Sequence, residues 1–257
     1  MTNNKNKTVF PSLAGRHALV SGGASGIGEA LVRALAQQGC LVSFFDIDQA
    51  AGDSLAKELN DQGLKTHFHM VDLTEIDTLQ KVITERMADW GAIRILVNNA
   101  ANDHRHTLQD MTSDAFDKCM SVNLKHHFFA AQAVAPAMAE AGGGSIINMS
   151  SNSWMLGLAG YPGYVTAKAG ISGLTKGLAR ELGGQKIRVN TVLPGWVMTE
   201  KQKRLWLTPE AEEELMTQQA LKEKIKPEDV ADLVLFLGAD DSRMISGQSL
   251  VVDGGRL

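Results

Sequence analysis

The chain has 257 residues, with 25 Lys and Arg against 29 Asp and Glu, for a formal net charge of −4. Apolar residues at 44% and charged residues at 21% exclude a disordered chain. Without a basic stripe to neutralise phosphates, nucleic acid is excluded as a partner. No uninterrupted apolar run approaches the ~18 residues of a membrane span.

One α/β domain is expected at this length. Met1 to Lys7 is polar and lacks the apolar centre of a signal peptide. Residues 1–12 therefore read as a flexible tail ahead of a single catalytic domain, 13–257, and the location is expected to be cytoplasmic. Cys40 and Cys119 would then stay reduced, as small core hydrophobes.

In chain order, strands are expected at His17–Ser21, Leu41–Asp46, Thr66–Asp72, Ile95–Asn98, Ser145–Ser150, Ile187–Leu193 and Leu250–Val252. Most are near-continuous apolar runs, as parallel strands covered on both faces require. Helical patterns lie between them at Gly26–Gly39, Gln49–Gln62, Thr74–Trp90, Thr112–Ala141 and Tyr164–Leu182. Thr74 with Asp77 resembles an acidic capping box, and Gly39 and Gly63 fall where helix C-caps belong. Strand–helix alternation of this kind means a doubly wound parallel sheet. Between Leu193 and Leu250 the rhythm breaks into Trp196–Leu207 and helical patterns opened at Thr208-Pro209 and Pro227. An insertion after a strand's carboxyl end can cover a ligand crevice, so 196–226 is expected to be a substrate lid.

After the first strand comes Ser21-Gly22-Gly23-Ala24-Ser25-Gly26-Ile27-Gly28, followed by an Ala/Leu-rich helix. Gly22, Gly26 and Gly28 suit a tight turn, close approach to a pyrophosphate and close helix–strand packing. The helix start, with Ser25 and Ile27, offers free N–H groups and a positive dipole end to phosphates. Asp46 ends the second strand eighteen residues past Gly28, where a carboxylate accepts both hydroxyls of an adenosine ribose. It would repel a 2′-phosphate, and neither Ser25 nor Ile47 is a cation to offset that. NAD rather than NADP is the expected cofactor.

Tyr164 and Lys168 share one face of a helix. Thirteen residues earlier, Ser151 sits at the carboxyl end of the fifth strand, where open sheets bind ligands. An unperturbed phenol, with pKa ~10, is too weak a base near neutrality, and an adjacent ammonium is expected to lower it. Tyr164 could then take a proton from a substrate hydroxyl as hydride leaves for the nicotinamide. Ser151 would hold the substrate oxygen, and Lys168 would tune Tyr164 and contact the nicotinamide ribose.

These residues, together with Asp72-Leu73, Asn98-Asn99-Ala100, Asn123 and Pro194-Gly195-xxx-Thr199, resemble the short-chain dehydrogenase/reductase family from Leu13 to Leu257. The resemblance implies a Rossmann fold with strand order 3-2-1-4-5-6-7 and a homotetramer. It implies that Asp72 and Leu73 contact adenine, that Asn99 and Ala100 belong to the cofactor site, and that Val197 and Thr199 hold the carboxamide. Asn123 would position a water in a proton relay behind Lys168. The family usually has Gly where this chain has Ala101, whose methyl would crowd the nicotinamide-ribose side slightly.

Three stretches resemble the sugar 1-dehydrogenase branch: Asn102–His106, Ser151–Trp154 with Leu156–Leu158, and Trp206–Glu210. A sugar needs donors and acceptors, which Asp103, His104 and Ser153 could supply, and a flat apolar face such as Trp154 or Trp196. The expected activity is oxidation of an aldopyranose at C1 to the aldonolactone. The alternatives are another secondary alcohol, a polyol or hydroxy-steroid, or a catalytically silent NAD(H) sensor. A 3-oxoacyl-carrier-protein reductase fits less well, because it usually works with NADPH. No metal is expected, since His104 and His106 lack a carboxylate cluster. His67, His69, His126 and His127 read as structural.

Overall fold

The computed structural model describes residues 8–257. Seven strands form one all-parallel sheet in the order β3-β2-β1-β4-β5-β6-β7. They are β1 (His17–Ser21), β2 (Leu41–Asp46), β3 (Thr66–Met70), β4 (Ile93–Asn98), β5 (Gly144–Met149), β6 (Ile187–Pro194) and β7 (Ser249–Val252). The helices are α1 (Gly26–Gln37), α2 (Gln49–Asp61), α3 (Ile76–Trp90), α4 (Ser113–Met120), α5 (His126–Glu140), α6 (Pro162–Leu182), α7 (Glu200–Leu205), α8 (Pro209–Gln218) and α9 (Pro227–Gly238). The expected doubly wound architecture and strand order are both present.

Side chains alternate between two cores, as the period of a strand demands. Ala18, Val20, Val42, Phe44, Ile95 and Val97 face α1, α2 and α9. Leu19, Phe45, Leu96 and Ile146 face α3 and α5. Burial on both faces explains why these strands read as continuous apolar runs rather than alternating ones. Gly39 and Gly63 follow α1 and α2 in the left-handed conformation, at φ 83° and 80°, as helix termination requires.

Three local expectations are corrected. β3 ends at Met70 rather than Asp72, because the Asp72 carboxylate accepts the Thr74 amide and hydroxyl at 2.9 and 2.7 Å and turns the chain. That bond also takes Thr74 out of the capping position, so α3 begins at Ile76 after Glu75. The single helix expected over Thr112–Ala141 is interrupted by a π-helical turn at Ser121–Lys125. Of the expected tail, residues 1–7 lie outside the described residues. Beyond them, the Phe10 amide donates to Gln38 Oε1 at 2.8 Å and the Phe10 ring packs on the α9 core.

Strand order reverses beside β1, so the carboxyl ends of β1, β2, β4, β5 and β6 open on a common crevice, where such sheets bind ligands. The segment after β6 stands over it, tied down where the Met198 amide donates to the Ile225 carbonyl at 2.8 Å. Among the described residues, no helix is long and apolar enough to cross a membrane.

Candidate active site

At the end of β1 the chain turns through Gly22, at φ 65°. A Cβ there would lie 2.7 Å from the Ala100 Cα, and one on Gly28 would lie 1.7 Å from the Gly22 carbonyl oxygen. Only hydrogen fits at either position, so the loop lies flat against β4 and the first turn of α1. Ser25 precedes α1 in extended conformation without a side-chain cap bond. The first amides of α1, from Gly26 through Ile27 and Gly28, therefore face the crevice with the positive end of the helix dipole. The Asn99 amide group donates to the Ser21 and Gly22 carbonyls at 3.0 and 2.9 Å, while the Ser21 hydroxyl accepts the Asn99 and Ala100 amides. This cradle fits a dinucleotide pyrophosphate.

Asp46 closes one end of the cradle. Its Oδ2 accepts the Ala24 amide at 3.0 Å, and its Oδ1 accepts the Ile47 amide at 2.8 Å. The carboxylate is thereby fixed at the end of β2, at the place a ribose would reach. Asp72 is exposed, Leu73 is buried, and the Thr74 bonds hold the Asp72 carboxyl below its usual value. At the opposite end, Pro194, Gly195, Val197 and Thr199 form a wall of the crevice, and the Thr199 Cγ2 lies 3.1 Å from where a Cβ on Gly26 would be. Ala101 lines the crevice without left-handed backbone, so its methyl is accommodated.

Ser151, Tyr164 and Lys168 come together as the spacing anticipates. Lys168 is buried, and its Nζ donates to the Met149 carbonyl at 2.8 Å. Burial pushes its ammonium down to about 7. Tyr164 stands half-buried on the crevice wall, hydrogen-bonded to Ser151. Its phenol is held above its ordinary value, first by burial and then by the Asp103 charge, with the Ser151 bond and Arg105 opposing. The direction is opposite to the lowering expected from Lys168. A lysine that is only about half protonated near neutrality, 5.5 Å from the ring centre, is too weak an attractor to overcome desolvation. Phenolate and ammonium therefore stabilise each other only when both charges are present.

Asn123 sits in the π-helical turn, a feature common at functional sites. Its Oδ1 accepts the Asn102 amide at 2.9 Å, and its Nδ2 donates to the Asn102 and Cys119 carbonyls at 3.1 and 3.0 Å. The side chain thus anchors the segment that begins at Asn102.

A cavity of about 490 Å³ opens beside Ser151 and Tyr164, bounded by Ser153, Arg105 and Tyr161 and roofed by Trp196, Gln202 and Trp206. Asp103 also lines it, but both of its oxygens are engaged. Lys201 donates to Oδ1 at 2.7 Å and the Gln202 amide to Oδ2 at 2.9 Å, while Gln202 Oε1 accepts the Trp196 indole N–H at 2.9 Å. Burial would raise the Asp103 carboxyl, yet these donors outweigh it and hold it low. The Ser153 hydroxyl is buried and without a partner among the described residues, free to meet a polar ligand. His104 is exposed and Trp154 half-buried, and neither is among the residues that line the cavity.

Tyr161, Gln202 and Arg256, which the sequence did not single out, also line the cavity. So do Arg105 and Trp206, which lie in stretches that carry the sugar-dehydrogenase resemblance but were not named as substrate residues. The Arg105 guanidinium lies 3.7 Å from the Tyr161 ring centre and 5.2 Å from that of Trp206, a cation held between two aromatic faces. Among the described residues, no cluster of three or more His, Cys, Asp or Glu could hold a metal ion.

The family model described as enoyl-(acyl carrier protein) reductase matches residues 22–256. The chain is 45% identical over 249 residues to a probable galactose dehydrogenase of Rhizobium meliloti, covering 96% of each chain. It is 43% identical over 247 residues to the D-xylose 1-dehydrogenase of Caulobacter vibrioides, covering 96% of this chain and 98% of that one. Among solved structures, a blue fluorescent protein from a metagenomic library, in complex with NADPH, superposes with a TM-score of 0.88 at 31% identity, covering 95% and 99%. The chain is an oxidoreductase that belongs to the short-chain dehydrogenase/reductase family.

Proposed function

We propose that the chain oxidises the C1 hydroxyl of an aldopyranose with NAD⁺ to give the aldonolactone. What carries this reading is the meeting of Ser151 and Tyr164 on a cavity lined by both polar groups and indole rings, with Lys168 buried beside the Tyr164 ring. Its relatives' names, galactose and xylose dehydrogenase, support a sugar as substrate. Bound at the cradle, the oxidised nicotinamide would supply the acceptor for a hydride.

The Ser151 hydroxyl orients the substrate oxygen. Tyr164 takes the hydroxyl proton as the C1–H bond breaks with its electron pair, and a C1=O bond forms. The ring oxygen remains attached to C1, so the product is a lactone. Lys168 stabilises the phenolate whenever both are charged. Asp46, with no cation at Ser25 or Ile47, supports NAD over NADP, although one structural relative holds NADPH. The exposed rings of Phe116 on α4 and Phe128 on α5 support self-association, expected to be a homotetramer.

Absorbance of NADH formed from NAD⁺ tests this across a panel of aldoses, with polyols, a hydroxy-steroid and NADP⁺ in parallel. Turnover with one or a few aldopyranoses is expected. Turnover with the non-sugar alcohols alone would overturn the sugar assignment, and binding of NADH without turnover would point to a sensor.

A further inference from the structure

Tyr164 lies in the first turn of α6, and the amides of that turn need acceptors from outside the helix. Tyr161, at the N-cap position, makes no side-chain cap bond, and Pro162 at the first helical position has no N–H. The Gly163 amide is therefore the first to need an acceptor, one residue before the phenol. It finds one in a side chain far off in sequence: it donates to His106 Nε2 at 3.1 Å.

The rest of the imidazole is equally committed. Nδ1 lies 3.1 Å from the His104 carbonyl oxygen. A backbone amide can only donate and a carbonyl can only accept, so the two bonds together require a neutral ring with its proton on Nδ1. The His106 backbone amide donates to the Gly160 carbonyl at 2.9 Å, gripping the loop that leads into α6 from a second side. There is little slack. A Cβ on Gly163 would lie 3.0 Å from Met111 Cε and 3.3 Å from both Cys119 Sγ and His106 Nε2. At its other end the segment carrying His106 is anchored through Asn102 to Asn123.

We infer that His106 is a positioning residue for Tyr164, a neutral imidazole that caps α6 from the Asn102–His106 segment and sets where the phenol stands relative to Ser151 and Lys168. Asn123, Asn102, His106 and Gly163 thus form one mechanical path from the π-helical turn to Tyr164. The inference rests on Tyr164 being the base. His106 itself is not among the residues that line the cavity, so its effect should fall on turnover rather than on substrate affinity. Small displacements of a reacting group cost large factors in rate.

The test compares His106→Phe, which keeps bulk but removes the acceptor, with His106→Gln, which restores an amide oxygen, and runs Tyr164→Phe alongside. His106→Phe is expected to lower kcat at least about tenfold, with the aldose KM and NADH binding within about twofold of wild type. His106→Gln should recover most of the loss. Wild-type kcat in a folded His106→Phe would overturn the inference, as would a loss expressed mainly in KM or one that His106→Gln does not relieve. A ¹⁵N spectrum of the histidine-labelled wild-type protein supplies an arm that needs no variant to fold. A neutral ring protonated on Nδ1 is expected, and the other tautomer or a charged ring at pH 7.5 would overturn the assignment. If Tyr164→Phe turns over like wild type, it is the base reading that fails. If Tyr164→Phe is inactive and His106→Phe is not impaired, only the role of His106 fails.

Discussion

Lys168 places its ammonium 5.5 Å from the centre of the Tyr164 ring while surrendering nearly all contact with water. Burial that brings its pKa to about 7, from an ordinary 10.5, makes the residue a liability to the folded state. Between pH 7 and 10.5 the unfolded chain binds a proton that the folded chain does not, so stability rises with pH across that window. Below pH 7 the fold carries the full cost of the buried charge.

Replacing Lys168 by Met removes that cost and gives up one hydrogen bond, the one to Met149, worth about 1 kcal/mol. Lys168→Met is therefore expected to melt several degrees above wild type at pH 6–7, with the gap closing toward pH 10.5. NADH formation by the same variant should fall at least about 100-fold. Thermal melts across pH, read beside the turnover assay, check both. A lower melting temperature at pH 6 would contradict the burial argument.

Asp46 owes its position to the Ala24 and Ile47 amides, which an amide oxygen could also satisfy. Asp46→Asn should therefore keep the loop in place while losing the charge that repels a 2′-phosphate. NAD⁺ binding is expected to weaken by about 5- to 50-fold, and discrimination against NADP⁺ to shrink by tenfold or more, about 1.4 kcal/mol. Titration with both dinucleotides measures this, and an unchanged ratio would remove Asp46 from cofactor choice.

β1 and β2 could be read to the residue because a doubly covered parallel strand writes itself as a near-continuous apolar run, here ending in a functional group, Ser21 or Asp46. Ser151, Tyr164 and Lys168 were legible for a related reason: strand end and helix face are set by local periods. The substrate wall was not. Asp103 reads as a free acceptor until Lys201 and Gln202, about a hundred residues away, are folded onto it. Arg105 is sandwiched by Tyr161 and Trp206, which no local period brings together. The π-helical turn at Asn123 was hidden inside a good helical pattern because a bulge changes register, not composition.

Gln202 spans Asp103 and Trp196 and so joins the segment after β6 to the Asp103 side of the cavity. Gln202→Leu would leave the Trp196 indole and one Asp103 oxygen without partners, at about 1–3 kcal/mol for groups of this kind. The aldose KM is expected to rise about tenfold while NAD⁺ binding holds. Lys201→Met, which removes an ion pair half-open to solvent, should cost about 1 kcal/mol or less. Initial-rate kinetics on both variants make the comparison. Equal effects would mean that charge, rather than the amide bridge, holds the segment after β6 in place.

His126 and His127 lie side by side with no access to water. His126 Nε2 meets the Ala100 carbonyl at 3.2 Å, and His127 Nδ1 meets Asn148 Oδ1 at 3.3 Å. Burial, with the Lys168 charge adding to it, pushes His126 down to about 3, and His127 is driven well below its ordinary value by burial and by His126. As pH falls from 6.5 toward 3, the unfolded chain takes up protons that the folded chain refuses, so stability drains away through that window. His127→Leu removes one such site, and Asn148 Oδ1 keeps the Asn98 amide as a donor at 2.9 Å. The acid-unfolding midpoint of His127→Leu, followed by far-ultraviolet circular dichroism, should therefore lie below that of wild type by about half a pH unit or more. A midpoint at or above the wild-type value would mean that other groups, and not this buried pair, limit the protein in acid.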